Sequence, residues 1–199
     1  MVRAVVKRSA ITVPPALVPL FNQPPLVGEE KREDYEELFS AIVATIKPSD
    51  TVVWLLARDF ADLTWEIARE KRLKTQLIKL TEFDVVSKLV SPITPTFLPP
   101  DMSIGMGKKL AKQWAGDPKA RQIVINKLAD KGYDASDIST LAMNRAAPEI
   151  EVIDRRIGTY ELRRIAAMKA IEQYSEASAK RLAAASTDVI EGEFTEAVE

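Results

Sequence analysis

A long helical pattern between residues 51 and 90 constrains the fold of this chain more than any other feature. Apolar side chains recur there at three- and four-residue spacing, which is typical of an α-helix. An apolar arc this wide predicts a helix with neighbours on two sides. The helix could break near Thr81, where Thr-Glu-Phe-Asp is suited to start a separate short helix. The two stripes of the arc are Val53, Leu56, Phe60, Leu63 and Ile67, and Trp54, Ala57, Ala61, Trp65 and Ala68.

A second long helical pattern begins near Pro148 and reaches Ala185. Arg164, Ser175 and Ser178 interrupt its apolar seam, so the pattern is not that of a strong coiled coil. Two long helices of this kind predict a scaffold for self-association. The seam consists of Ile150, Ile153, Ile157, Tyr160, Met168, Ile171 and Leu182.

The segments outside the two long helices are shorter and differ in composition. Residues 1–28 are rich in proline, which lacks a backbone donor and fixes φ, so they are predicted to form an extended arm. The apolar residues of this arm predict that it docks, either on its own domain or on a neighbouring subunit. Residues 29–187 are predicted to form a helical domain, and residues 188–199 an acidic tail.

The expected fold is all-α, because no segment alternates with period two for long enough to predict a strand. We expect two long helices packed antiparallel, with shorter helices at one end and the Pro-rich arm at the N-terminus. Ser49 or Asp50 is suited to cap the first long helix. A proline-rich loop is predicted at residues 91–101, and shorter helices are predicted at 29–46, 105–114, 118–132 and 136–145.

The chain contains neither cysteine nor histidine among its 199 residues. Disulfides, metal sites built from these residues and nucleophilic mechanisms that use a histidine base are therefore excluded. Carboxylate chemistry remains, and no cofactor is expected. No apolar run approaches the roughly 20 residues that a membrane helix needs, so we expect a cytoplasmic protein with no membrane partner. The formal net charge of −1 identifies no class of partner.

Carboxylates recur along one face of the first long helix. Asp59, Asp62, Glu66 and Glu70 stand at spacings of three and four residues, which places them on one side of a helix. Hard divalent cations bind several such oxygens, so Asp59, Asp62 and Glu66 are candidate metal ligands. Structural ion pairing is the alternative that we favour. Its candidate counter-ions are Arg58, Arg69 and Lys74.

Basic residues are concentrated in the middle of the chain, with Trp114 among them. A basic patch with an aromatic side chain is typical of nucleic-acid binding, although ordinary surface lysines give the same pattern. Residues 120–145 also have the outline of a helix-turn-helix, but the second helix offers few groups that could read a DNA groove. The candidate contacts are Lys108, Lys109, Lys112, Lys119 and Arg121.

Two blocks of the sequence carry a recognisable pattern. The first runs from Pro24-Pro-Leu-Val-Gly-Glu-Glu30 to Lys74, and the second is Ile150-Glu-Val-Ile-Asp-Arg-Arg-Ile157 followed by Glu161-Leu-Arg-Arg164. This pattern resembles an uncharacterised family of small helical alpha-proteobacterial proteins with no assigned function. The resemblance implies no activity, cofactor or catalytic residue.

These observations predict a non-enzymatic helical scaffold or adaptor that self-associates and contacts another protein. A homo-oligomer is expected, and the sequence does not identify the protein partner. Two alternatives stay open: a nucleic-acid-associated protein that uses the basic residues at 108–131, and a carboxylate-metal enzyme. The residues predicted to form the interface are Trp54, Phe60, Trp65, Ile157, Tyr160 and Met168.

Overall fold

The computed structural model describes residues 13–90 and 116–195, together with residues 108, 109, 111, 112 and 114. Every regular element in these residues is a helix, which confirms the predicted all-α class. None of the described helices combines the length and the apolar content that crossing a bilayer requires. The elements are a 3-10 turn at Pro15–Leu17 and helices α1 (Val18–Phe21), α2 (Arg32–Ile46), α3 (Thr51–Val90), α4 (Pro118–Ala129) and α5 (Ala135–Thr195).

Helix α3 is a single element of 40 residues, which confirms the predicted long helix over 51–90, and the possible break near Thr81 does not occur. The Thr81 hydroxyl donates to the carbonyl oxygen of Leu77 at 2.9 Å, which accommodates the threonine within the helix. At the other end, the Asp50 carboxylate accepts from the amides of Val52 and Val53 at 2.8 and 3.1 Å. Asp50 is therefore the residue that caps α3.

Helix α5 has 61 residues and contains Pro148 in its interior. The sequence predicted two separate helices here, and that prediction is wrong. Pro148 removes the hydrogen bond that its amide would donate to the carbonyl of Asn144, and its ring crowds that carbonyl. Both residues are exposed, so water can satisfy the freed carbonyl oxygen. Residues 188–195 of the predicted acidic tail also belong to α5.

The chain divides into two compact units. The first contains Met1–Ala68 and Gly158–Glu199, and the second contains Arg69–Ile157. The division falls inside the helical domain predicted for residues 29–187. Because it also falls within α3 and within α5, each long helix contributes one part to each unit.

The first unit is built around a buried cluster that we call the aromatic core. Val13, Phe21 and Leu26 of the arm pack against it, so the described part of the arm lies on its own domain. The stretch Pro15–Leu17 and helix α1 are helical, and the prediction of an extended arm is wrong for these residues. The buried members of the aromatic core are Leu17, Tyr35, Phe39, Val43, Trp54, Ala61 and Trp65.

The second unit has its own apolar core where α4 leads into α5. The Asp117 carboxylate accepts from the amide of Lys119 at 2.9 Å and caps α4, as the Asp-Pro pair predicts. After α4 ends, Gly132 adopts a φ of 83°, which glycine tolerates because it has no Cβ. The buried members of this core are Val85, Val86, Ala111, Trp114, Val124, Leu128, Ile138 and Ala142.

Polar contacts connect α3 with α5 inside the second unit. Lys74 Nζ lies 2.7 Å from Asp154 Oδ1, and both side chains are partly exposed. The Ser139 hydroxyl donates to Glu82 Oε1 at 2.9 Å. These contacts lie outside the apolar core of the unit and fix how the two helices meet along their length.

The Glu70 carboxylate is a deeply buried charge of the second unit. Its side chain is 5% exposed, and Arg156 Nη2 lies 3.3 Å from its Oε2. Within the part of the chain that the structure describes, that oxygen accepts no hydrogen bond. Arg156 therefore compensates the buried charge mainly through electrostatic attraction.

We expect Arg156→Met to destabilise the protein by about 1–3 kcal/mol, because it leaves the Glu70 carboxylate buried without its counter-ion. Urea unfolding measures the free-energy difference. Arg155→Met is the matched control, since Arg155 pairs with Glu151 where both side chains are 73% exposed. Its expected cost is under about 1 kcal/mol. Equal costs for the two variants would contradict the role assigned to Arg156.

Candidate functional site

The Arg58 side chain lies at the centre of the polar network of the first unit, although it is only 9% exposed. Its Nε donates to both carboxylate oxygens of Asp62, at 2.9 and 3.1 Å. Its Nη1 and Nη2 donate to the backbone carbonyl oxygens of Phe21 and Gln23, at 3.2 and 2.9 Å. Because those carbonyls belong to the arm, one guanidinium holds the arm against α3.

Three aromatic rings surround the same guanidinium. Arg58 Cζ lies 5.3 Å from the ring centroids of both Phe21 and Tyr35, and 6.0 Å from that of Phe39. A cation gains electrostatic energy from the face of an aromatic ring. Together with the hydrogen bonds, this gain offsets the cost of burying the charge. Arg58 thus joins the arm, α2 and α3 at one point.

Asp62 receives a second donor, from α2. The Tyr35 hydroxyl donates to Asp62 Oδ1 at 2.5 Å. Burial, and then the hydrogen bond to Asp62, raise the pKa of Tyr35 well above its ordinary value of 10.0. Tyr35 therefore stays protonated and serves as a permanent donor to the carboxylate.

A second polar contact fastens the arm one helical turn away from Asp62. The Glu30 carboxylate accepts from the Trp65 indole Nε1 at 2.9 Å and from the Val27 amide at 3.1 Å. Trp65 belongs to the aromatic core, and a buried indole N–H needs such a partner. The arm is therefore held to α3 directly at Arg58, and indirectly at Trp65 through Glu30.

A cleft of about 650 Å³ lies in the first unit beside this network. Its α3 wall carries Asp59, Asp62 and Glu66, and its α5 wall carries Tyr160 and Arg163. The structure thus brings the three predicted carboxylates together along one cleft, as their helical spacing indicated. Burial, and then the charge of Asp62, raise the pKa of Asp59 above its ordinary value of 3.8, while Arg163 opposes the shift.

The carboxylates of the cleft are not arranged as a metal centre. Arg58 and Tyr35 already bind Asp62, so its oxygens face counter-charge and a donor. Across the described ranges, no group of three or more acidic side chains could hold a metal ion. The predicted role of Arg58 as a counter-ion is confirmed, whereas Lys74 pairs with Asp154 instead of with the carboxylate row.

Two of the six predicted interface residues are buried in the core of the first unit, and three more are partly buried. Trp54 and Trp65 are each 8% exposed and belong to the aromatic core. Phe60 and Ile157 are partly buried, and Tyr160 lines the cleft. On α3, Trp54 and Trp65 are therefore explained by packing inside the first unit.

Met168 differs from the other predicted interface residues because its side chain is 45% exposed. Two more apolar side chains precede it at three-residue spacing on α5: Leu162 is 71% exposed and Ile165 is 45% exposed. We call these three residues the α5 row. The sequence reasoning missed Leu162 and Ile165 because neither belongs to the predicted seam. Their regular spacing beside the seam was the signal that could have found them.

The predicted nucleic-acid contacts lie on the surface of the second unit. Trp114, in contrast, is 7% exposed and belongs to the apolar core, so it is not an open stacking platform for bases. The guanidinium carbon of Arg121 lies 5.0 Å from the centroid of the Trp114 ring. The exposed basic side chains are Lys108, Lys109, Lys112, Lys119 and Arg121.

Comparisons with protein-family models, with curated proteins and with solved structures find no match to this chain. The resemblance described from the two sequence blocks therefore stays a prediction. Any function has to be inferred from the residues and geometry of the chain itself.

We expect Arg58→Lys to destabilise the first unit by about 2–4 kcal/mol, because one ammonium cannot replace a guanidinium that bonds to Asp62 and two arm carbonyls. Urea unfolding followed by tryptophan fluorescence measures the loss, since Trp54 and Trp65 lie in the aromatic core. Arg32→Lys is the control, because Arg32 pairs with Glu36 on the surface. If Arg58→Lys left the free energy of unfolding unchanged, the central role assigned to Arg58 would be contradicted.

The raised pKa of Asp59 predicts a pH-dependent effect. A folded-state pKa above the ordinary value means that the folded protein favours the protonated form, so the charged form lowers stability at neutral pH. Asp59→Asn should therefore raise the melting temperature at neutral pH. This gain should shrink as the pH falls through the raised pKa and vanish below 3.8. A lower melting temperature for Asp59→Asn than for the wild type at neutral pH would contradict this prediction.

Proposed function

We propose that the protein is a non-enzymatic helical scaffold or adaptor of the cytoplasm that acts by self-association and protein–protein contact. The observation that carries this proposal is the α5 row, in which Leu162, Ile165 and Met168 are 71%, 45% and 45% exposed. Residues three apart are neighbours on a helix surface, so these side chains form one continuous patch. Single exposed apolar residues are ordinary, but contiguous apolar patches favour association.

The polar groups of the first unit support a structural role more than a catalytic one. Arg58, Asp62 and Tyr35 bond to one another inside the unit, and Glu30 bonds to Trp65. A catalytic centre needs a group that is poised to exchange protons with a substrate. The raised pKa of Tyr35 opposes that use of its hydroxyl.

We also propose that α3 and α5 pack antiparallel along the second unit. The contacts there pair Glu82 with Ser139, Lys74 with Asp154 and Glu70 with Arg156. Residue numbers fall along α3 while they rise along α5. That order supports an antiparallel pair of helices, which is a common framework for presenting an outer helix face to a partner.

We expect the wild-type chain to scatter light as an oligomer at micromolar concentration and Ile165→Glu to scatter as a monomer, since the carboxylate would be buried in the contact. Ile123→Glu is the matched control, because Ile123 is 55% exposed and belongs to α4 of the second unit. It should leave the oligomer intact. A strictly monomeric wild-type chain would contradict the proposal.

A second candidate function is nucleic-acid binding through the second unit. Lys108, Lys109 and Lys112 are exposed on helical residues, while Ala111 and Trp114 of the same segment are buried. The segment therefore has one face in the core and one basic face toward solvent. Clustered lysines bind phosphates through charge, without requiring sequence-specific contacts.

The triple variant Lys108→Glu, Lys109→Glu, Lys112→Glu tests this candidate. We expect it to abolish salt-dependent retention of a fluorescent duplex DNA or single-stranded RNA in an anisotropy titration. Lys31→Glu, Lys180→Glu, Arg181→Glu is the control, because it changes the net charge equally at exposed positions of the first unit. If both triple variants bind as the wild type does, or if the wild type does not bind, the candidate is rejected.

A further inference from the structure

We infer that the α5 row pairs with the α5 row of a second copy of this chain, antiparallel, about a two-fold axis that passes Ile165. This inference rests on the proposed self-association and adds the identity and orientation of the partner surface. Ile165 is the middle residue of the row and lies equally far from Leu162 and Met168 along the helix. A two-fold axis at this position places apolar side chains of one copy against those of the other.

The charged residues that flank the row have the same symmetry. Glu161 precedes Ile165 by four residues and Lys169 follows it by four, so both lie on the face that Ile165 centres. An antiparallel two-fold pair brings Glu161 of one copy to the same level as Lys169 of the other. The interaction then occurs twice, once on each side of the axis, as every isologous contact does.

The next residues outward also fit this arrangement. Glu172 is seven residues after Ile165, and Gly158 is seven residues before it. Two heptad-spaced positions share a helix face, so Glu172 of one copy meets the backbone at Gly158 of the other. Between Gly158 and Glu172 no acidic side chain faces another, and the glycine leaves room for the carboxylate to reach solvent.

A parallel pair of the same faces has the opposite electrostatics. Each residue would then face its own copy, so Glu161, Lys169 and Glu172 would each be opposed by a like charge. Like charges placed across a contact are unfavourable and serve to exclude wrong arrangements. The charge pattern around the row therefore selects the antiparallel orientation.

The contact is short enough to be reversible. The face from Gly158 to Glu172 spans about 21 Å at the helical rise, which places few large apolar side chains in the contact. Interfaces of limited area with few buried anchors reach affinities of about micromolar rather than permanent association. Dimerisation should therefore depend on protein concentration across that range.

The absence of cysteine from the chain makes a direct test possible. In Ile165→Cys, the two thiols lie at the axis and should form an intermolecular disulfide under copper-phenanthroline, visible on a non-reducing gel. Glu172→Cys is on the same face, but its two copies would be separated by about 21 Å along the helices. It should not cross-link, because a disulfide requires Cβ atoms about 3.5–4.5 Å apart. Ile123→Cys, exposed on α4, controls for random collision.

A charge exchange gives an independent test in solution. Glu161→Lys alone and Lys169→Glu alone each place like charges across the contact, so each should weaken the dimer several-fold in sedimentation equilibrium. The double variant Glu161→Lys, Lys169→Glu restores opposite charges at both levels and should recover the wild-type dissociation constant. Recovery shows that neither substitution by itself prevents folding of the double variant.

The possible outcomes separate this inference from the proposed function. A disulfide at position 165 without one at position 172, together with recovery by the charge exchange, supports the antiparallel pair. If position 172 cross-links as well as position 165, the two helices pair in parallel. If the wild type is a dimer but position 165 does not cross-link, the dimer forms through another surface. Either result overturns the inference and leaves self-association standing. A monomeric wild-type chain overturns both.

Discussion

The buried guanidinium of Arg58 is the interaction on which the first unit depends. It bonds to a carboxylate on its own helix and to two backbone carbonyls of the arm, and three aromatic rings surround it. A buried charge is costly unless it is paired and hydrogen-bonded, so this single side chain dictates where several segments must lie. Asp62 also accepts a hydrogen bond from Tyr35, which connects the network to α2.

This network indicates a structural role for acidic residues along α3. A row of acidic residues on a helix can bind a cation, form ion pairs or simply meet solvent. Asp62 is occupied by Arg58 and Tyr35, and Glu70 by Arg156. Three exposed side chains of α5, Leu162, Ile165 and Met168, are apolar. The proposed association rests on these side chains.

Much of the helical architecture was predictable because local rules dominate it. The stripes on α3, the cap at Asp50 and the Asp117-Pro118 start of α4 follow from side-chain spacing and from backbone donors that need partners. Pro148 suggested a helix boundary, but α5 continues through it. One missing hydrogen bond on an exposed face costs less than ending so long a helix. The helical turn at residues 15–21 was missed because proline content alone suggested an extended arm.

The sequence by itself determined that the chain is helical, that histidine and cysteine chemistry is excluded, and that carboxylates share one face of α3. Only the tertiary structure decided which of those carboxylates meet a cation, that the arm lies on its own domain, and which apolar side chains stay exposed. The physical reason is that spacing along a helix fixes which residues share a face. What that face contacts depends on segments far away in the sequence, as with Arg58 and the arm carbonyls at Phe21 and Gln23.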